Sequence, residues 1–268
     1  MSYRETPAPP LLAPPSFRSA RVIIALMLRE MTSTYGRSPG GYVWALLQPI
    51  GAIVVLSLAF SLILRSPSLG TSFVLFYATG FLPFDLYSQL SGKTANALRY
   101  SRALLSYPAV TWIDAILARF LLNTITLLTV FCIVISGIML LEETRTVIDA
   151  RPILVGLTLA AFFALGVGMV DCVLGGLFPV WNQIWSIVTR PLFLASGVLF
   201  LYEDMPKFAQ NILWWNPLLH VVGEVRRGFY PTYHASYVSL PYLGGVTLIL
   251  LAAGLVFMRA HYKTVLER

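Results

Sequence analysis

Six stretches of this sequence are apolar for long enough to cross a bilayer, and they constrain the fold more than anything else in the chain. A hydrocarbon core of ~30 Å takes about 20 predominantly apolar residues as helix. The runs are Tyr42–Leu64, Phe73–Ser91, Ile113–Leu141, Pro152–Phe178, Trp181–Leu201 and Leu240–Met258. Composition agrees: charged residues make up 12% of the 268, against about 25% in an ordinary soluble domain. The expected fold is an all-α polytopic membrane protein with six transmembrane helices, its transmembrane domain covering 42–258. Cys132 and Cys172 each lie inside an apolar run and read as small buried hydrophobes.

Orientation follows from the Lys and Arg in the connections. With the N-terminus in the cytoplasm, eleven basic residues lie inside and six outside, while Arg119 and Arg190 fall within spans. Both termini are therefore expected inside, with 259–268 as a cytoplasmic tail. The net charge of +7 is scattered among apolar runs, a pattern that suits an anionic membrane surface and not nucleic acid.

Residues 203–239 then lie outside. Their segment WWNPLLHVVGEVRRGFY (214–230) is too charged to span and too apolar for a solvated loop. Asn216 is a good N-cap, Pro217 suits the first helical position, and Gly228 can end the helix in a left-handed conformation. Leu218, Val221, Val222 and Val225 share one face, with His220, Glu224 and Arg227 on the other. Upstream, Asp204 can cap a second short helix. Two helices of roughly 10 residues each would make a re-entrant hairpin (204–228) about half a bilayer deep. The alternative is a flat interfacial helix anchored by Trp214 and Trp215.

Residues 1–16 are rich in proline and read as an extended arm. Residues 17–36 read as an amphipathic cytoplasmic helix, with Arg18, Arg21 and Arg29 on one side and Val22 and Leu26 opposite. The second cytoplasmic connection, 99–112, becomes apolar toward its end, which suits either a contact surface or a segment lying on the membrane. The fourth run carries Ala160, Ala164, Gly168, Cys172 and Gly176 at every fourth position. Such a seam lets helices approach closely, and packing within one subunit is expected.

Catalytic chemistry is not legible. Ser91-Gly92-Lys93-Thr94 ends like a phosphate-binding loop, but Tyr87 stands where that motif needs glycine. No metal-ligand spacing occurs, and the stretches between spans are too short for a nucleotide-binding domain. If transport consumes ATP, another chain must bind it. Four ionisable residues lie inside spans: Asp85, Arg119, Asp171 and Arg190. Each costs roughly 2.5–3.5 kcal/mol at a helix centre. Counted from the cytoplasmic ends of their spans, they share one layer. Either they pair with one another, Asp85 and Asp171 forming a structural charge layer, or Arg190 or Arg119 faces a wet pathway and an anionic solute.

YGRSPGGYVWALLQP (35–49), TRPLFLASGVLF (189–200) and the 214–230 segment resemble the permease subunits of bacterial ABC exporters for capsular polysaccharide. These sit in the inner membrane, within the wider class that exports O-antigen and teichoic acids. The resemblance runs from about Phe17 to the C-terminus. It implies two copies of the chain, two ATPase subunits holding ATP and Mg, and a lipid-linked polysaccharide moving outward. Periplasmic and outer-membrane export components would be further partners. The N-terminal helix, with Arg18, Arg21 and Arg29, and the 104–112 loop, with Leu104, Leu105, Tyr107 and Trp112, would meet the ATPase. Tyr42, Trp44, Trp214, Trp215, Glu224, Arg227 and Tyr230, with Tyr233, would line or wall the substrate route alongside Arg190 and Arg119. The interfacial aromatic belt is the competing explanation for these aromatics. A secondary transporter and a membrane enzyme acting on lipid-linked sugar are the rival classes. The first lacks an internal repeat, and the second lacks a cluster of acids or a metal site.

Overall fold

The computed structural model describes residues 18–34, 40–107, 110–142 and 146–267, with the side chains of Arg18, Thr34 and Tyr42 outside the description. The proline-rich arm, 1–16, lies outside the described residues. The helices are α1 (Arg18–Thr34), α2 (Gly41–Ser61), α3 (Phe73–Ala95), α4 (Ala97–Tyr100), α5 (Trp112–Leu141), α6 (Ala150–Leu177), α7 (Trp181–Ala195), α8 (Lys207–Leu213), α9 (Pro217–Phe229) and α10 (Leu240–Glu267). Among the described residues there is no strand.

Four helical segments are long and apolar enough to cross a membrane: Val43–Ser61, Trp112–Leu141, Ala150–Leu177 and Leu240–Glu267. The two other runs depart from a plain span for local reasons. The 23 residues of α3 include Asp85, Gln89 and Lys93, and protein walls the helix in, with Leu75, Phe76, Tyr77 and Leu90 buried. The fifth run is helical for only 15 residues. The helix ends where the Ser196 hydroxyl donates back to the Leu192 carbonyl (2.5 Å) and Gly197 takes φ 72°, a conformation open mainly to glycine. The sixth run continues as helix through the segment read as a tail, to Glu267.

Local sequence sets the starts. Ser72 accepts from the Leu75 amide (2.9 Å), and Asp149 accepts from the Arg151 amide (3.0 Å). Thr111 and Asp114 form a reciprocal capping box on α5. The core is built around α6, which packs between α3, α9 and α10. Its small-residue seam serves that packing: Ala160, Ala164 and Cys172 are buried, and Ser91 and Thr94 of α3 occupy the space a side chain on Gly168 would need. On α1, Val22, Ile23, Leu26 and Met27 turn toward the bundle, with α5 as the neighbouring helix, while Arg21 and Arg29 stay exposed.

The segment between α7 and α10 holds two helices, with two corrections to the sequence reading. α8 has only 7 residues, and its N-cap is Pro206 without a side-chain cap, so Asp204 does not start it. Gly228 is not left-handed; α9 runs on to Phe229, and glycine at 228 instead lets the helix lie against the Asp149 carbonyl and Ile153. α9 is covered on almost all sides. Every residue in it except Pro217 and Arg227 is buried, His220 and Glu224 included, and the chain after the helix folds back onto its polar side at Ser239.

Candidate functional site

The 214–230 segment is held by polar contacts at its start. The Asn216 carboxamide oxygen accepts from the Leu218 amide (3.1 Å), as a cap does. Its Nδ2 donates to the Ala195 carbonyl (3.0 Å) and the Ser196 hydroxyl (3.2 Å), so one side chain starts α9 and secures the end of α7. His220 Nδ1 accepts from the Ser239 amide (3.2 Å), which leaves Nε2 to carry the proton and donate to the Trp214 carbonyl (2.8 Å). The ring is thus a neutral, satisfied core histidine. Glu224 pairs with Arg227 at 2.7 Å, the acid buried and the arginine side chain 43% exposed.

Arg226 is not among the candidates above and is the larger feature. It is 1% exposed. Its guanidinium donates to the carbonyls of Gly197 (2.7 Å) and Val198 (2.9 Å), with Phe200 farther off (3.5 Å), and lies 4.3 Å from the centre of the Phe76 ring. The only hint in the sequence is the doubled arginine.

The aromatic candidates divide. Trp44 and Trp215 are 64% and 66% exposed and open to lipid, a second chain or a solute. Trp214 is anchored: its indole donates to the Tyr237 carbonyl (3.1 Å), and its ring lies against Tyr242 and His220. Tyr230 and Tyr233 are buried, the latter donating to Glu203 (3.1 Å). The side chain of Tyr42 lies outside the described residues.

The four charges inside the spans do not pair with one another. Asp85 accepts from Gln89 (2.7 Å) and Asp171 from the Trp181 indole (3.0 Å), so each carboxylate is met by a neutral donor close in sequence. Arg190 is exposed on α7, with no ion pair or hydrogen bond among the described residues. Arg119 pairs at 3.2 Å with Glu30 of α1, an acid outside the candidate set although it continues the inward stripe Val22–Leu26–Glu30. Around them the Lys93 ammonium donates to Asn123 Oδ1 (2.7 Å), Asn123 Nδ2 approaches Glu30 (3.5 Å), and the Arg119 guanidinium lies 4.2 Å from the Tyr100 ring centre. Ser33 of α1 hydrogen-bonds the Tyr100 hydroxyl of α4.

The remaining coupling candidates fall on two kinds of surface. Tyr107 is 62% exposed, and Leu104 is half-buried. Leu105 packs on the core, and Trp112 lies against Tyr262 of α10 (6.1 Å between centroids), so these two hold the loop to the bundle. Among the described residues no group of three His, Cys, Asp or Glu side chains could hold a metal.

A family model described as ABC-2 type transporter matches residues 21–230. The chain belongs to the ABC-2 transporter family. It is 31% identical to the polysialic acid transport protein KpsM of Escherichia coli, over 90% of this chain and 94% of that protein. It is 26% identical to the capsule polysaccharide export inner-membrane protein BexB of Haemophilus influenzae, and 27% identical to CtrC, of the same description, from Neisseria meningitidis serogroup B. Each of these two alignments covers 91% of this chain and 92% of the relative.

Proposed function

We propose that this chain is the transmembrane subunit of an ATP-driven exporter that moves lipid-linked capsular polysaccharide from the cytoplasm across the inner membrane. The observation that carries the reading is end-to-end likeness to three capsule or polysialic acid transport proteins, on a chain with four membrane-length apolar helices. The stretches between helices are too short for a nucleotide-binding domain, so two copies of a separate ATPase subunit would hold ATP and Mg. Two copies of this chain would pair above them, α2 and α7 lining the route between. The exposed arginines of α1 and the exposed Tyr107 supply a surface for the ATPase. On the far side, α8 and α9 would form the re-entrant hairpin. The burial of α9 supports this, since helix ends at membrane depth need protein cover.

The test is export. In a capsule-forming host, deleting the gene should abolish surface polysaccharide and leave glycan inside, and this chain together with its ATPase should restore it. Polysaccharide that still reaches the surface at normal levels in the deletion strain would reject the reading.

Topology is checked separately. With both termini inside, a membrane-impermeant thiol reagent applied to intact cells should label Ser236→Cys and leave Lys263→Cys unlabelled. Labelling at 263 would reverse the orientation.

A further inference from the structure

α3 and α7 meet at one end and part at the other. Where they meet, the Phe193 ring contacts Phe81 and Phe84, at 6.3 and 5.2 Å between centroids. Toward Lys93 and Trp181, the ends assigned to the cytoplasm, a cleft of about 250 Å³ opens between them. A neighbouring cavity of about 380 Å³ shares Ala95, Asn96, Asp171 and Asn182 with it. Both walls carry polar side chains: Ser88 and Asn96 on the α3 side, with Gly92 between them, and Asn182, Ser186 and Thr189 on α7. These spacings of three and four put each set on a single helical face. The Ser186 and Thr189 hydroxyls donate to the Gln183 and Trp185 carbonyls of their own helix (2.8 and 2.9 Å), and Asn96 Nδ2 donates to the Gly92 carbonyl (2.9 Å), so each keeps an oxygen free to accept from a ligand in the cleft.

The rest of the lining is aromatic and acidic. Trp181 and Trp185 stack at 5.9 Å with planes 15° apart. Asp171, 6% exposed, accepts from the Trp181 indole and lines both cavities. A lining that mixes aromatic rings with hydroxyls and carboxamides offers both a flat apolar face and hydrogen-bonding groups. An indole beside a carboxylate and several hydroxyls suits a neutral sugar ring, whose C–H face stacks and whose hydroxyls donate.

We propose that the α3–α7 cleft binds a hydroxyl-bearing sugar ring of the exported glycan before translocation, with Trp185 as the stacking face and Asp171 as the hydroxyl acceptor. This rests on the exporter reading above and adds to it a site inside one subunit, apart from the route between two.

The test uses the complete transporter in capsule-producing cells. The photo-crosslinking amino acid p-benzoylphenylalanine is placed at Ser186 in the cleft, at Trp44 on the exposed side of α2, and at Val55, also exposed on α2, as a background position. After illumination, the Ser186 position should give glycan-bearing adducts above the Val55 background, and these should vanish in a strain that makes no polymer. Normalised to protein in the membrane, Trp185→Leu should reduce the adducts by about fivefold or more, while Trp185→Phe, which keeps a ring face, should retain most of them. Adducts at Ser186 with phospholipid alone or with the ATPase alone would overturn the proposal. So would a Ser186 position that gives no glycan adducts above background; if Trp44 gives them instead, the exporter reading stands while the cleft proposal fails. If the unsubstituted chain exports no polysaccharide in the same cells, the exporter reading fails and the cleft proposal falls with it.

Discussion

Replacing Arg226 with Met is expected to remove most of the protein from the membrane, while Arg227→Gln leaves its level near normal. The two arginines are adjacent in sequence and opposite in environment. Arg227 is partly exposed and pairs with the buried Glu224 on its own helix, and glutamine at 227 keeps an N–H that can donate to that carboxylate. Arg226 is fully enclosed and ties α9 to the stretch just beyond α7. There Gly197 turns left-handed, and the carbonyls of Gly197 and Val198 lie outside the helical ladder. Methionine fills similar volume but donates nothing. Each buried carbonyl left unpaired costs about 1–3 kcal/mol. The lost contact with the Phe76 ring adds up to about 2 kcal/mol where the cation is desolvated. The sum is a large part of an ordinary folding free energy of about 5–15 kcal/mol. Lysine offers one ammonium in place of a planar fork and cannot serve two successive carbonyls equally well, so Arg226→Lys should fall between wild type and Met. The measurement is membrane-inserted protein by quantitative blotting, with thermal stability in detergent. Wild-type levels and melting for Arg226→Met would show that the carbonyls are met by water and that the arginine is dispensable.

What can be read from the sequence in this region is whatever depends on near neighbours. Asn216-Pro217 starts a helix because an N-cap and a first-turn proline act within three residues, and Glu224 meets Arg227 because positions three apart share a face. The same logic misplaces Asp204, where proline at 206 begins the helix without a side-chain cap. Hydropathy runs the fifth span to Leu201 because it cannot register that Gly197 turns left-handed and that the helix stops after Ala195. The polar face of α9 looks destined for water or substrate. In the folded chain Ser239 and the Trp214 carbonyl close over His220, and no local pattern announces that return. The charge layer fails for a related reason. Counting residues along spans gives a depth but not a direction around the helix, so Arg119 looks available to Asp85 or Asp171 when its partner sits on α1, outside the spans.

That partner gives the second large effect. Glu30→Met should sharply lower folded protein, and Glu30→Met with Arg119→Met should regain much of it. Glu30 is 6% exposed and pairs with Arg119 at 3.2 Å. Removing the acid leaves the Arg119 guanidinium, whose side chain is 12% exposed, without its counter-charge near the Lys93 ammonium, which already leans on Asn123. Breaking one side of a buried pair typically costs about 3–5 kcal/mol, whereas exchanging both partners for apolar groups is often neutral or favourable. A single loss with recovery in the double variant therefore identifies the pair as structural, and a double variant no better than the single would reject it. Recovery of fold need not bring recovery of transport. The cluster joins α1 to α5 through Glu30 and Arg119, and it reaches α4 because the same guanidinium lies over Tyr100, which also bonds Ser33. The two surfaces proposed to meet the ATPase are thereby tied to each other and to the core. In the double variant the helices keep their apolar packing but lose the charged link among α1, α4 and α5. ATP hydrolysis should then proceed with export reduced per ATP consumed, measured in vesicles carrying both subunits. Export per ATP equal to wild type would mean that the cluster holds the fold together and takes no part in transmitting the work of the ATPase.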